Sequence, residues 1–296
     1  MEKQKKAYLY AGIAVAFWAT SASAFKISLQ YMDIFSLLFC ASITSTAVFF
    51  VCLLLSKKLS LLKDLRRGDY VHSALLGFLN PFLYYVILFK AYSILPAQEA
   101  QPLNFIWPLT LVLLSIPLLK QRITFRDIMA TLICFVGVLV ISTRGDVLSL
   151  KFTDTVGVSL ATGSSIIWAL FWIYNVKDKR DEVVRLFLNF AFGSAFTFVS
   201  MLVLTGPLIP GVRGILAGAY VGLFEMGITF FLWLKALKLS RTTAHVTNLI
   251  YLVPFLSLVV ISLVVGEKIL PSTMVGLVFI VGGIVLQRLR SKSERK

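Results

Sequence analysis

Long apolar tracts alternate with short polar or basic segments along the whole of this chain. Each tract is long enough, as an α-helix, to cross a hydrocarbon core about 30 Å thick. The tracts cover approximately residues 7–29, 34–56, 70–92, 96–119, 125–143, 155–176, 183–205, 214–236, 242–265 and 270–289. The pattern predicts an all-α polytopic membrane protein with ten transmembrane helices.

The second half of the chain repeats the first. Several residues recur in kind about 146 positions later: Pro108, Arg122 and Gly137 as Pro254, Lys268 and Gly283, and Lys90-Ala91 as Lys235-Ala236. With an odd number of spans per half, the second half must insert upside down relative to the first. Inverted repeats that meet at the membrane midplane are a transporter architecture. We therefore predict two five-helix repeats, residues 1–146 and 147–296.

Composition agrees with this class, because 58% of the residues are hydrophobic and only 15% are charged. The net charge of +15 is unevenly distributed. Most lysines and arginines lie at the two termini and in segments 57–67, 120–126, 177–185 and 235–241. This asymmetry predicts that both termini are cytoplasmic, and it explains the positive charge without nucleic acid. The first tract also resembles a signal peptide, but its apolar run continues past Ala22-Ser23-Ala24, and we expect it to be retained.

Glu225 is the main candidate for chemistry, because ionisable groups at membrane depth are costly and usually functional. It lies near the middle of its span, on the same helical face as Gly214, Gly218 and Gly222, and small residues at this spacing allow helices to approach closely. Two functions are open, an anchor for a substrate cation and a carrier of protons. A structural hydrogen bond or a lysine partner is the alternative. Its counterpart in the first half is Asn80.

Further candidates for a substrate cavity are polar or aromatic residues within the spans. Glu99 and His245 correspond in the two halves and lie near opposite ends of the bundle, as gate or rim residues would. Trp107 and Trp168 lie deeper than an interfacial belt, and aromatic walls suit flat or cationic substrates. The full set of candidates is Asn80, Tyr84, Glu99, Asn104, Trp107, Trp168, Glu225, His245 and Tyr251.

The two halves, each with a proline in its fourth helix and a charged hinge before a fifth helix that contains glycine, resemble the EamA-type transporters of the drug/metabolite transporter superfamily. The segment Ala97-x-Glu99-x4-Asn104-x2-Trp107-Pro108 is similar to the fourth helix of bacterial exporters of aromatic amino acids and methyl viologen. The resemblance implies export of amino acids or related small amphipathic metabolites by alternating access. It also implies a bacterial or archaeal cytoplasmic membrane. Gly266-Glu267 follows the family pattern, whereas the first half has Lys120-Gln121.

Two other functions are weighed against export. Lys90 and Lys235 could bind anionic metabolites, although lysines at span ends commonly reach to the interface. An intramembrane enzyme is the remote alternative, and the HExxH, Walker and GxSxG motifs do not occur. The three cysteines lie in apolar tracts without metal-ligand spacing, so we expect no metal and no cofactor. The expected partners are a small-molecule substrate and the lipid bilayer, and a monomer already contains both halves.

Overall fold

The computed structural model describes residues 2–119, 125–148, 152–206, 210–239 and 248–288, and all regular secondary structure in these ranges is helical. The α-helices are α1 (Glu2–Ser28), α2 (Ile34–Leu55), α3 (Arg67–Gly77), α4 (Tyr84–Ile94), α5 (Ala97–Asn104), α6 (Trp107–Leu119), α7 (Phe125–Ser142), α8 (Thr155–Lys177), α9 (Glu182–Leu204), α10 (Val212–Val221), α11 (Ile228–Leu239), α12 (Val253–Val260) and α13 (Pro271–Arg288). Three π-helical segments follow α3, α10 and α12: Phe78–Leu83, Gly222–Gly227 and Ile261–Val265. Short 3₁₀ turns span Leu59–Leu62 and Asn248–Leu252.

Within the part of the chain that the structure describes, six helical segments are long and apolar enough to cross a membrane: Glu2–Ser28, Ile34–Leu55, Arg67–Ile94, Thr155–Asn175, Glu182–Leu204 and Val212–Ala236. They coincide with predicted spans one to three and six to eight. The fourth predicted span is divided at residues 105–106 into α5 and α6. The fifth and tenth correspond to α7 and α13, and the ninth begins outside the described residues. The fold is therefore an all-helical membrane fold, and the count of ten spans stays a prediction.

Helices from the two parts of the chain pack against each other in a reciprocal pattern. Helix α1 packs against α11 and α12, and α8, its counterpart in the repeat, packs against α4 and α6. Helix α2 packs against α9, and α7 against α13. The caps correspond as well: Asp33 accepts the N–H of Phe35 at the start of α2, and Asp181 accepts the N–H of Val183 at the start of α9. Such caps satisfy backbone donors that have no partner within the helix.

Glycines allow the closest of these helix contacts. A Cβ atom added to Gly77 would lie 2.3 Å from the backbone oxygen of Asn189, and one added to Gly222 would lie 2.5 Å from that of Ala41. The same relation holds between α7 and α13, where a Cβ on Gly137 would lie 2.6 Å from the oxygen of Gly276. The glycine face of the eighth predicted span is buried, as its spacing predicts: Gly214, Gly218 and Gly222 pack on Met32 and α2.

At one end of the bundle the loop between α8 and α9 is fixed by charge pairs. Lys58 Nζ lies 2.6 Å from Asp181 Oδ2, and Arg180 Nη2 lies 2.5 Å from Asp178 Oδ2. Burial alone would raise the pKa of each aspartate, but the hydrogen bond and charge of its basic partner outweigh burial and hold the pKa below its ordinary value. We call this end, with loops 56–66 and 178–181, the basic end.

Candidate functional site

The two halves carry a π-helical segment at the same place. Phe78–Leu83 connects α3 to α4 and contains Asn80, and Gly222–Gly227 connects α10 to α11 and contains Glu225. Single π turns inside α-helices are frequent at functional sites, because they re-aim side chains and loosen the backbone ladder. Asn80 and Glu225 are both buried near the centres of their spans. The two residues that correspond in the repeat therefore both lie in π-helical segments.

The Glu225 carboxyl is enclosed by groups from the first half. It accepts hydrogen bonds from the hydroxyl groups of Ser21 in α1 and Tyr85 in α4, the latter at 3.0 Å. The indole N–H of Trp18 donates to the backbone oxygen of Glu225 at 3.2 Å. No ion pair to Glu225 occurs within the described ranges. Because a hydroxyl can both donate and accept, these neighbours serve the carboxyl in either protonation state.

All five tryptophans of the chain belong to one network of ring contacts, and this network approaches Glu225 through Trp18. Trp168 in α8 is its centre, with ring centroids 4.7 Å from Tyr84 and 6.2 Å from Trp107. The network runs from α6 through α8 to α11 and α1. Its remaining contacts are Trp168–Trp172 at 5.8 Å, Trp168–Phe230 at 5.8 Å, Phe230–Trp18 at 6.3 Å and Trp18–Trp233 at 5.3 Å.

Asn104, the last residue of α5, links this network to neutral polar groups. Its side-chain oxygen accepts from Tyr84 at 3.3 Å, and its amide nitrogen donates to the hydroxyl of Ser164 at 2.8 Å. Tyr84 and Tyr85 have ring centroids 4.7 Å apart, so Asn104 and Glu225 are joined through two adjacent tyrosines. Five predicted residues are thus joined by contacts: Tyr84, Asn104, Trp107, Trp168 and Glu225. Asn80 belongs to the same span as Tyr84.

The other predicted residues lie elsewhere. Glu99 is buried and pairs with Arg144 at 3.0 Å, at the end of the bundle opposite the basic end. His245 lies outside the described residues. Tyr251 is in a 3₁₀ turn, and the structure does not describe its side chain. Lys90 and Lys235 are exposed, and the Lys235 ammonium lies 4.4 Å from the Phe231 ring centroid. The structure does not bring these two lysines to Glu225.

Three contact residues are not predicted by the sequence pattern. Ser21 is one of several small polar residues in the first span, and nothing in its spacing distinguishes it. Tyr85 is adjacent to Tyr84, and only the π turn decides which of the two faces Glu225. Glu267 belongs to the family pattern noted above, but the sequence does not predict its contacts. Its carboxylate oxygens accept hydrogen bonds from the backbone N–H groups of Ala97 and Gln98 at 2.9 and 3.0 Å.

The contact of Glu267 with the start of α5 is reciprocal. The side-chain amide of Gln98 donates to the backbone oxygen of Lys268 at 2.8 Å and accepts from the backbone N–H of Leu270 at 2.9 Å. We call this set, Ala97, Gln98, Glu267, Lys268 and Leu270, the clasp. It joins the start of α5 to the segment before α13, opposite the basic end, and a carboxylate at a helix N-terminus is favoured by the helix dipole.

Comparison with known proteins finds similar transporters from bacteria and archaea. The chain is 24% identical over 300 residues to an uncharacterized transporter of Clostridium kluyveri, covering 97% of this chain and 94% of that protein. It is 25% identical over 236 residues to the uncharacterized transporter YvbV of Bacillus subtilis, covering 76% and 73%. An uncharacterized transporter of Archaeoglobus fulgidus is 20% identical over 291 residues, covering 95% and 98%. A crystal structure with 22% identity has a similar fold, with a TM-score of 0.67 over 97% of this chain and 99% of that one.

The sequence profile of the EamA-like transporter family matches residues 5–143 and 155–288, which is nearly the whole chain. This family is integral to the membrane and is not known to be enzymatic. The resemblance noted from the fourth helix and the hinges is thereby confirmed at the level of the family. The protein is a membrane transporter, and it belongs to the EamA-like transporter family.

Proposed function

We propose that this transporter exports amino acids or related small amphipathic metabolites by alternating access through a cavity between two inverted five-helix halves. The observation that carries the proposal is Glu225, a buried carboxyl at the middle of its span, held by hydroxyl groups from the other half. The network of tryptophans beside it supplies large apolar faces. Rings of this kind bind the side chain of an amphipathic solute.

Reciprocal packing supports the inverted halves. The contacts of α1 with α11 and α12 and of α8 with α4 and α6 are those expected from two repeats related by a two-fold axis in the membrane plane. The family profile also matches two segments of similar length. With most basic residues at one end, both termini are cytoplasmic in this proposal. One chain holds both halves, so a monomer is sufficient.

Glu225 gives a means of coupling. An ionised carboxylate without a cation partner is costly inside a membrane protein, so it favours taking up either a proton or a cationic group. As a proton carrier, Glu225 would take up a proton on one side of the membrane and release it on the other, so that proton entry is coupled to substrate exit. In this proposal the proton gradient across the membrane drives export.

The test is uptake of labelled phenylalanine, tryptophan and leucine into proteoliposomes, with and without an imposed pH gradient. We expect transport by the wild type that the gradient accelerates. Glu225→Gln keeps the volume but cannot ionise, so its transport should not respond to the gradient. Lys90→Gln, which removes an exposed charge from another span, is the matched control and should behave as the wild type does.

Two results contradict the proposal in different ways. If the rate of transport changes neither with the gradient nor in Glu225→Gln, the protein is a facilitator and Glu225 has a structural role. If none of the amino acids moves, the substrate class is wrong. Transport of phosphorylated or carboxylate solutes that Lys90→Gln abolishes would establish the anion carrier instead.

A further inference from the structure

Two corresponding tryptophans differ in their hydrogen bonding. The indole N–H of Trp18 donates to the backbone oxygen of Glu225. Trp168 follows Trp18 by 150 residues, at the corresponding place in the second half. It is 7% exposed, and its indole N–H has no partner among the described residues. By the repeat, its partner would be the backbone oxygen of Asn80. At Asn80 the backbone is extended, with φ −152° and ψ 122°, so its carbonyl does not point along the helix as in an unbroken turn.

Asn80 itself is also unpartnered. Its side chain is completely buried, and neither its amide nitrogen nor its amide oxygen has a hydrogen-bond partner in the described part of the chain. Nearly all buried polar atoms in folded proteins are paired, so an unpaired one calls for an explanation, such as a functional role or a partner that binds there. The corresponding position in the second half, Glu225, has two hydroxyl donors. The two halves are therefore chemically unequal at their midpoints.

The unpartnered groups belong to the same part of the bundle. Helix α8, which carries Trp168, packs against the π-helical segment that carries Asn80. The ring of Trp168 is 4.7 Å from that of Tyr84, which follows Asn80 by about one helical turn. This part of the bundle thus offers two N–H donors and one carbonyl acceptor, all uncharged, beside the aromatic faces of Tyr84 and Trp107.

We propose that Asn80 and Trp168 form the subsite for the head group of the transported amino acid, an inference that rests on the function proposed above. The Asn80 Nδ2 and Trp168 Nε1 groups donate to the substrate carboxylate, and Asn80 Oδ1 accepts from its ammonium group. A neutral subsite suits a zwitterion, because the head group brings no net charge into the membrane interior. Glu225 then has no part in holding the substrate and is free to carry the proton.

Asn80→Leu and Trp168→Phe separate this role from a structural one. Leucine has the same branched skeleton of heavy atoms as asparagine and removes a buried amide that has no partner among the described residues, so thermal stability should equal or exceed that of the wild type. Phenylalanine keeps a ring against Tyr84 but removes part of the indole together with its N–H, which has no partner among the described residues, so stability should fall only by the lost ring packing. Trp18→Phe is the matched control for stability. It loses the same ring atoms and also a formed hydrogen bond, so it should lower the unfolding temperature more than Trp168→Phe does.

The experiment is equilibrium binding of two ligands to the purified full chain in lipid nanodiscs. L-phenylalanine has the carboxylate, and phenethylamine has the same ring and ammonium group without it. We expect the wild type to prefer phenylalanine. Trp168→Phe should weaken phenylalanine binding by about tenfold, the loss of one hydrogen bond to a charged group, and leave phenethylamine within about twofold. Asn80→Leu should weaken both ligands, phenylalanine more.

Each contrary result has a definite meaning. If Trp168→Phe weakens both ligands equally, the tryptophan acts by ring packing and the subsite is wrong. If Asn80→Leu binds phenylalanine as the wild type does, the subsite is wrong as well. In both cases binding by the wild type leaves the proposed function standing. If the wild type binds neither ligand, the amino acid proposal fails, and the subsite fails with it.

Discussion

The reciprocal glycine contacts make a sharp prediction about how the halves pack. In Gly77→Ala the new Cβ would start 2.3 Å from the backbone oxygen of Asn189, and Cβ atoms essentially never approach another heavy atom within 3.0 Å. The obstacle is helix backbone, so α9 must move away by about 0.7 Å or more. A gap of 0.5–1 Å forfeits about a quarter to a half of the attraction between the atoms it separates. Gly222→Ala meets the same obstacle at Ala41, with 2.5 Å.

The magnitude follows from two opposing terms. Overpacking of this kind costs about 1–3 kcal/mol, and replacing glycine by alanine inside a helix returns up to about 1 kcal/mol. We expect a net loss of about 1–2 kcal/mol in the free energy of unfolding for either variant. Gly12→Ala is the matched control, because Gly12 lies within α1 and a Cβ there meets nothing within 4 Å. It should keep or raise the stability.

Thermal unfolding of the purified protein in one detergent, followed by circular dichroism, compares the three variants directly. Transport should also fall in Gly77→Ala and Gly222→Ala, since each glycine precedes Asn80 or Glu225 by three residues. The reasoning is refuted if Gly77→Ala unfolds at the temperature of Gly12→Ala or above. It is also refuted if only one of the two reciprocal variants loses stability, since the contacts are equivalent in both halves.

Three further predictions concern the site and the two ends of the bundle. Trp107→Ala should weaken phenylalanine binding by about tenfold. It should lower the unfolding temperature less than Trp168→Ala does, because Trp107 is half-buried. Equal losses of folded protein in the two variants would mean that Trp107 only packs and does not bind substrate. Glu267→Ala removes both acceptors at the start of α5 and should cost about 1–2 kcal/mol, measured by thermal unfolding, with no loss refuting the clasp. The pKa of Asp181 is lower in the folded protein than the ordinary aspartate value of about 4, so ionised Asp181 stabilises the fold fully above about pH 4. This stabilisation is lost as the pH falls through the folded pKa. Asp181→Asn, which can still cap α9, should therefore lose stability at pH 7 and converge with the wild type in acid, and a pH-independent difference would contradict the role of Lys58.

Much of the site could be predicted from the repeat and from depth in the membrane. Glu225 stands out because an ionisable residue in the middle of an apolar tract is costly and usually functional. The correspondence of the halves then indicates Asn80. Tyr85 could not be chosen over Tyr84, since a π turn changes the helical register without any mark in the hydrophobic pattern. The clasp could not be predicted either, because Glu267 and Gln98 are far apart in sequence and meet only when both halves are folded and packed together.

The amino-acid sequence by itself determined the class of this protein. Apolar tracts of membrane length leave no alternative to helices that satisfy their own backbone hydrogen bonds, and the repeat indicates which residues correspond. Tertiary structure alone decided how those equivalent positions differ. Glu225 obtained hydroxyl partners from Ser21 and Tyr85, while the side chain of Asn80, in an extended turn of the corresponding helix, has no hydrogen-bond partner among the described residues. The physical reason is that hydrogen bonds depend on the direction of donors and acceptors, which periodicity along a chain does not encode.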